Sequence, residues 1–282
     1  MTAGLSRRAL LAGLGALTLA LPARAQEALD PRLVAVADRF ALAHVLTGEE
    51  DVDAMTEAGL RGLSMHLTAR TTVEPGPVVG IDLDSDDISM LSLLYWPITA
   101  TQPPPSPAAY LMLDRWLRNG GLLVVDTRDA DVAGFAGSDT APAAQNLLAP
   151  LSIPPLAPIP ADHVLTRAYY LLDGFPGRFD AGTVWVEAIP AAMEGQPLGG
   201  TLNDGVTPVV IGGNAWAEAW AVDEGGFPLN ALGAGFEGER QRELAYRFGI
   251  NLVMLALTGN YKSDQVHVQT ILDRLGEEEL LP

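Results

Sequence analysis

The 282-residue chain contains no cysteine, which removes disulfides, a thiol nucleophile, thiolate metal sites and a lipid-bearing cysteine from consideration. Histidine is scarce: His44, His66, His163 and His267 show no metal-ligand spacing and no HExxH pair, so no metal centre is expected and no cofactor is implied. Basic residues are also few. Against 35 Asp and Glu stand 17 Lys and Arg, a formal net charge of −18. That field repels phosphate backbones and anionic lipid surfaces, so nucleic acid is not an expected partner.

Several catalytic and nucleotide motifs are missing as well. There is no P-loop lysine, and GLSMH at 62–66 breaks a G-x-S-x-G elbow at its last position. Gly233, Gly235 and Gly238 spell G-x-G-x-x-G, but no strand precedes them and the following helix leads to no second strand with an acidic ribose partner. Asp82, Asp84, Asp86 and Asp87 lack the glycine and the glutamate of a calcium loop, so that run reads as a solvated loop. No internal repeat is visible.

What is present begins with a leader. Ser6, Arg7 and Arg8 precede an apolar stretch at 9–21, and Ala23, Arg24 and Ala25 form an A-x-A cleavage site. This is the pattern of a twin-arginine signal peptide over 1–25, with export to the periplasm. The stretch is shorter than the roughly 20 residues of a spanning helix and is interrupted by Gly13 and Gly15, so stable membrane insertion after cleavage is not expected. Removing Arg7, Arg8 and Arg24 deepens the charge from −18 to −21. The remaining 26–282 suit one large domain.

That domain is organised around residues 106–129, SPAAYLMLDRWLRNGGLLVVDTRD. Ser106 is an N-cap with Pro107 at the first helical position, and Ala109, Leu113, Trp116 and Leu117 share one helical face. Gly120 suits the left-handed residue past a helix end, and the apolar run 122–125 reads as a central parallel strand. Upstream, 39–46 reads as a first strand, 51–69 as a helix, and 78–81 and 90–98 as strands. Downstream, 142–151 reads as a helix, the proline cluster 153–160 follows, and Asp162 caps a short helix over 163–172. Residues 183–188 and 207–211 read as strands and 239–257 as a long helix ending at Gly259 and Asn260. Strands alternating with helices predict an α/β fold with a mainly parallel sheet covered on both faces.

Polar residues gather where buried strands end, the place where open α/β sheets put their ligand crevices. Asp126 and Asp129 are candidate acids or bases, Arg128 a donor to a polar ligand, and His163 an assisting group. Arg128 can equally pair with Asp126 or Asp129 and simply fix the loop. Asn214 and Trp216 follow the second strand end, and Trp96 closes the 90–98 run. Their indole rings suit stacking on a ligand, although tryptophan is more often buried packing.

Five segments together resemble the bacterial family known as domain of unknown function 4159. They are LLYWPI at 93–98, GGLLVVDTRD at 120–129, ADHVLTRAYYLL at 161–172, PVVIGGNAWAEAWA at 208–221 and GINLVMLALTGNYKSDQVH at 249–267. The resemblance implies a flavodoxin-like three-layer sandwich similar to class I glutamine amidotransferases. Those enzymes use a cysteine at a strand-to-helix turn, so glutaminase chemistry does not carry over to this chain. The expectation is therefore a non-catalytic, periplasmic module that binds a small ligand or an envelope protein. The alternative is a hydrolase-like enzyme acting on carbohydrate or cell-wall material through Asp126 or Asp129.

Overall fold

A computed structural model describes residues 40–130, 138–188 and 208–278; the expected leader lies outside the described residues. The first strand is β1 (Ala43–Val45), followed by α1 (Glu50–Arg70), β2 (Val79–Ile81) and β3 (Leu93–Pro97). Helix α2 (Pro107–Arg118) then leads into β4 (Leu122–Asp126) and α3 (Thr140–Leu148). Beyond it come β5 (Leu156–Pro158), a 3₁₀ turn (Val164–Thr166) and β6 (Trp185–Glu187). The last elements are β7 (Val209–Gly212), α4 (Trp216–Trp220) and α5 (Gly235–Glu278).

The α2–β4 unit forms as its sequence dictates. Ser106 Oγ accepts from Ala109 N at 3.2 Å, which satisfies one of the four free N–H groups of the first turn. Gly120, at φ 93°, turns the chain out of the helix and into β4. The strand is buried along its whole length and lies between β3 and β7, parallel to both.

The seven strands form one sheet in the order β2-β1-β3-β4-β7-β6-β5. The first five run parallel, and β6 and β5 run antiparallel at one edge. Alternation along the central strands feeds two cores. Leu93, Tyr95, Leu122, Val124 and Val210 face one that α1, α4 and α5 complete with Leu63, Trp220 and Phe248. Leu94, Trp96, Leu123, Val125 and Val209 face the other, which α2 and α3 complete with Leu113, Trp116 and Leu147.

Three sequence expectations are corrected here and a fourth is extended. The proline cluster 153–160 is not only a connector: β5 lies within it, and prolines are tolerated there because an edge strand leaves one row of N–H positions without a partner. Residues 163–172 form only the 3₁₀ turn, and His163 rather than Asp162 caps it, its Nδ1 accepting from Leu165 N at 3.2 Å. The long helix does not end at Gly259 and Asn260 but runs from Gly235 to Glu278. The aspartates of 82–87 are more than a solvated loop, since Asp84 Oδ1 accepts from Ser106 N and so ties that loop to the start of α2.

Candidate functional site

The corner after β4 is built around Asp126, which is completely buried. Its Oδ1 accepts from Arg128 N at 3.0 Å and from Ala215 N at 3.1 Å. Its Oδ2 accepts from Trp216 N at 2.7 Å and from the Tyr95 hydroxyl, which in turn accepts from Ala217 N. The carboxyl therefore satisfies N–H groups at the start of α4, a helix whose own N-cap, Ala215, has no capping side chain. It also holds Arg128 and Ala215, at φ 57° and 52°, in left-handed conformations that ordinarily cost a non-glycine residue about 1 kcal/mol. Burial pushes the Asp126 carboxyl up to about 6, opposed chiefly by the hydrogen bond from Tyr95.

Arg128 is half-buried, and its Nε is buried without a hydrogen-bond partner. Among the described residues it forms no ion pair with Asp126 or Asp129. Its charge is felt at Glu49, in the loop after β1. The Glu49 carboxyl lies below its ordinary value, first through the hydrogen bond donated by Thr101 and, among weaker causes, through Arg128. Strand order reverses between β1 and β3, so Glu49 and Thr101 mark the switch point of the sheet. Sequence reasoning missed both, because a switch point exists only once strand order is known.

On the other side of β4 lies a cleft of ≈ 830 Å³ between α3 and the antiparallel β5–β6 pair, floored by Ile211, Gly212 and Gly213. Its volume falls within the range of small-molecule sites. Asp129 lies at its rim. Asp129 Oδ1 accepts from the Thr127 hydroxyl, while Thr127 N and Ala130 N donate to Gly212 O and Gly213 O and so fasten the corner to β7. A Cβ on Gly213 would stand 2.4 Å from Asp129 Oδ1, so the carboxylate can occupy this place only beside glycine.

The cleft also contains Trp185, 40 % exposed, which sequence reasoning passed over. The signal was in the alternation of 183–188: Val184 and Val186 are buried, so Trp185 must face the opposite way. The tryptophans named as stacking residues are unavailable. Trp96 and Trp216 are fully buried in the two cores, with their Nε1 donors bonded to Gln102 Oε1 and Phe175 O. Indole burial provides so much apolar contact that both rings turned inward.

The candidate residues do not converge on one centre. Asp126 is enclosed by its four donors and reaches no open space, which corrects its reading as an accessible acid or base. His163 caps the 3₁₀ turn that packs against α5, and its polar contacts lie within 160–166. The Asn214 side chain donates to Phe175 O at 2.7 Å, and its Oδ1 is buried against Gly182 without a partner. Asp129 is the one candidate of the set that lines the cleft; its neighbour Arg128 does not line it. Among the described residues, no group of three or more His, Asp or Glu is placed to hold a metal ion. No described helix is long and apolar enough to cross a membrane.

A mainly parallel α/β sheet, a carboxyl-anchored corner at its centre and a cleft beside the ends of β4 and β7 define the class of this protein. The family model described as a domain of unknown function, DUF4159, matches residues 41–257, and the chain belongs to that family. No curated protein matches it significantly. The segments that carry the resemblance meet in space at two hydrogen-bonded centres. One joins Tyr95, Asp126 and residues 215–217; the other joins Asn251 to Leu165, Tyr169 and Tyr170.

Proposed function

We propose that the protein is an exported, non-catalytic ligand-binding module of the cell envelope, acting in the periplasm after removal of residues 1–25. Export rests on the Arg7–Arg8 pair, the short apolar stretch and the Ala23–Ala25 cleavage site. We take residues 26–282 as a single flavodoxin-like domain similar to class I glutamine amidotransferases. The order of its parallel strands, β2-β1-β3-β4-β7, supports that arrangement.

The observation that carries the binding reading is the ≈ 830 Å³ cleft at the strand ends, with Asp129 at its rim and Trp185 in its wall. A hydrolase needs an acid and a base across one bond, and the residues named for that role do not meet: Asp126 is enclosed and His163 caps a 3₁₀ turn that packs against α5. The test is a thermal-shift screen of the full chain against small aromatic and aliphatic amines, alcohols and acids at millimolar concentration. At least one class should raise the melting temperature, and Asp129→Asn or Trp185→Ala should diminish the shift. A screen without shifts, or shifts indifferent to both substitutions, refutes the cleft as the site. Export is checked by fractionation: Arg7→Lys with Arg8→Lys should leave the protein in the cytoplasm while the unaltered chain reaches the periplasm.

A further inference from the structure

We infer that the ligand of this cleft is an amphipathic organic cation, an aryl- or alkylammonium whose charged head pairs with Asp129 and whose apolar body lies along Leu148, Leu151, Ile153 and Trp185. The inference rests on the cleft reading above and adds the chemistry of the occupant.

Charge is the first argument. Asp129 is the only charged residue among the described residues that line the cleft, and no Lys, Arg or His accompanies it. One of its oxygens accepts from Thr127; the other accepts from no described residue. A carboxylate with an oxygen that no described residue occupies, lining a largely apolar cleft, favours an N–H donor of positive charge, since charge-assisted hydrogen bonds are about twice as strong as neutral ones. Arg128, the neighbour that could reverse this preference, is not among the lining residues. The net charge of −18 adds a field that draws cations and repels anions.

The second argument is the wall. Ala141, Ala144, Leu148, Leu151 and Ile153 offer no hydrogen bonds from their side chains, and Thr127, Gln145 and Thr183 are the only uncharged polar side chains among the described lining residues, so a polyol would replace only part of the hydration it loses there. Hydrocarbon or an aromatic ring gains from the same surface. The exposed face of Trp185 also attracts a cation through its ring quadrupole, reinforcing Asp129. Gly213 permits this geometry, because any side chain there would displace the carboxylate.

The experiment uses the full chain and three probes of one shape: 2-phenylethylammonium, 2-phenylethanol and phenylacetate. Of the five tryptophans, Trp96, Trp116, Trp216 and Trp220 are buried, leaving Trp185 as the one whose fluorescence reports on the cleft. The cation should change that emission and bind about tenfold more tightly than the alcohol, with phenylacetate weakest. Asp129→Asn should bring cation and alcohol within about twofold of each other. Trp185→Phe should abolish the fluorescence change while calorimetry still detects binding. Equal affinity for cation and alcohol, or preference for phenylacetate, overturns the cation inference but leaves a binding cleft. No change with any probe also overturns it, and the broader thermal-shift screen then decides separately whether the cleft binds anything.

Discussion

Asp126 shows how one residue at a strand end can look catalytic and be structural. Its position, the last of an apolar run, was legible in the sequence; its enclosure was not, because the donors come from Tyr95 and from residues 215–216, far along the chain. Burial raises its folded pKa to about 6 against an ordinary value of 3.8. Between those values the native state holds more protons than the unfolded chain, so stability from this group falls as pH rises. It is fully present below about pH 4 and lost by about pH 6, a change on the order of 3 kcal/mol. Asn at this position does not titrate, and its amide nitrogen cannot accept from Trp216 N. Asp126→Asn should therefore be destabilised relative to the unaltered protein most strongly near pH 4, and the gap should shrink by pH 7. Urea unfolding of both proteins at the two pH values checks this; a gap that is constant or widens with pH removes the raised pKa from the account.

Among the elements, local signals placed α1, α2, β4 and β7 to within a few residues, because capping, helical period and buried apolar runs are written in adjacent positions. The segment 163–172 was misread for the opposite reason. It has the composition of a helix, yet its backbone is held by another element: Asn251, buried in α5, accepts from Tyr169 N and Tyr170 N and donates to Leu165 O and Tyr170 O. A side-chain amide that uses two acceptor and two donor positions can hold a non-helical segment as a helix would have held itself. Trp185 and the cleft were missed for the same kind of reason, since a cleft belongs to the space between α3, β5 and β6 and to none of them alone. The Asn251 centre makes its own prediction. Asn251→Ala leaves those backbone groups without partners and should cost about 2–4 kcal/mol in urea unfolding. A cost under about 0.5 kcal/mol would mean that the segment 163–172 is held by its apolar packing instead.

At the scale of the whole molecule, charge is the property the sequence states most plainly and the fold does least to neutralise. The ion pairs among the described residues are Arg61–Glu57, Arg70–Glu243, Arg178–Glu218 and Arg247–Glu243, and two of them share Glu243. With 35 acids against 17 bases, a net charge of −18, most acids have no base to pair with. Self-repulsion of this kind opposes the compact state, and salt screens it over a Debye length of about 10 Å at 0.1 M. The few surface pairs that salt would weaken contribute at most about 1 kcal/mol each. Repulsion among the excess carboxylates should therefore dominate, and the melting temperature should rise as sodium chloride goes from about 20 mM to 500 mM, by about 2–4 °C for each kcal/mol recovered. The same salt series should weaken binding of 2-phenylethylammonium and leave 2-phenylethanol unaffected, because only the cation benefits from the field. A melting temperature that falls with salt would mean that the ion pairs outweigh the repulsion. The long-range part of the attraction for a cation would then have to be withdrawn, leaving Asp129 alone to provide it.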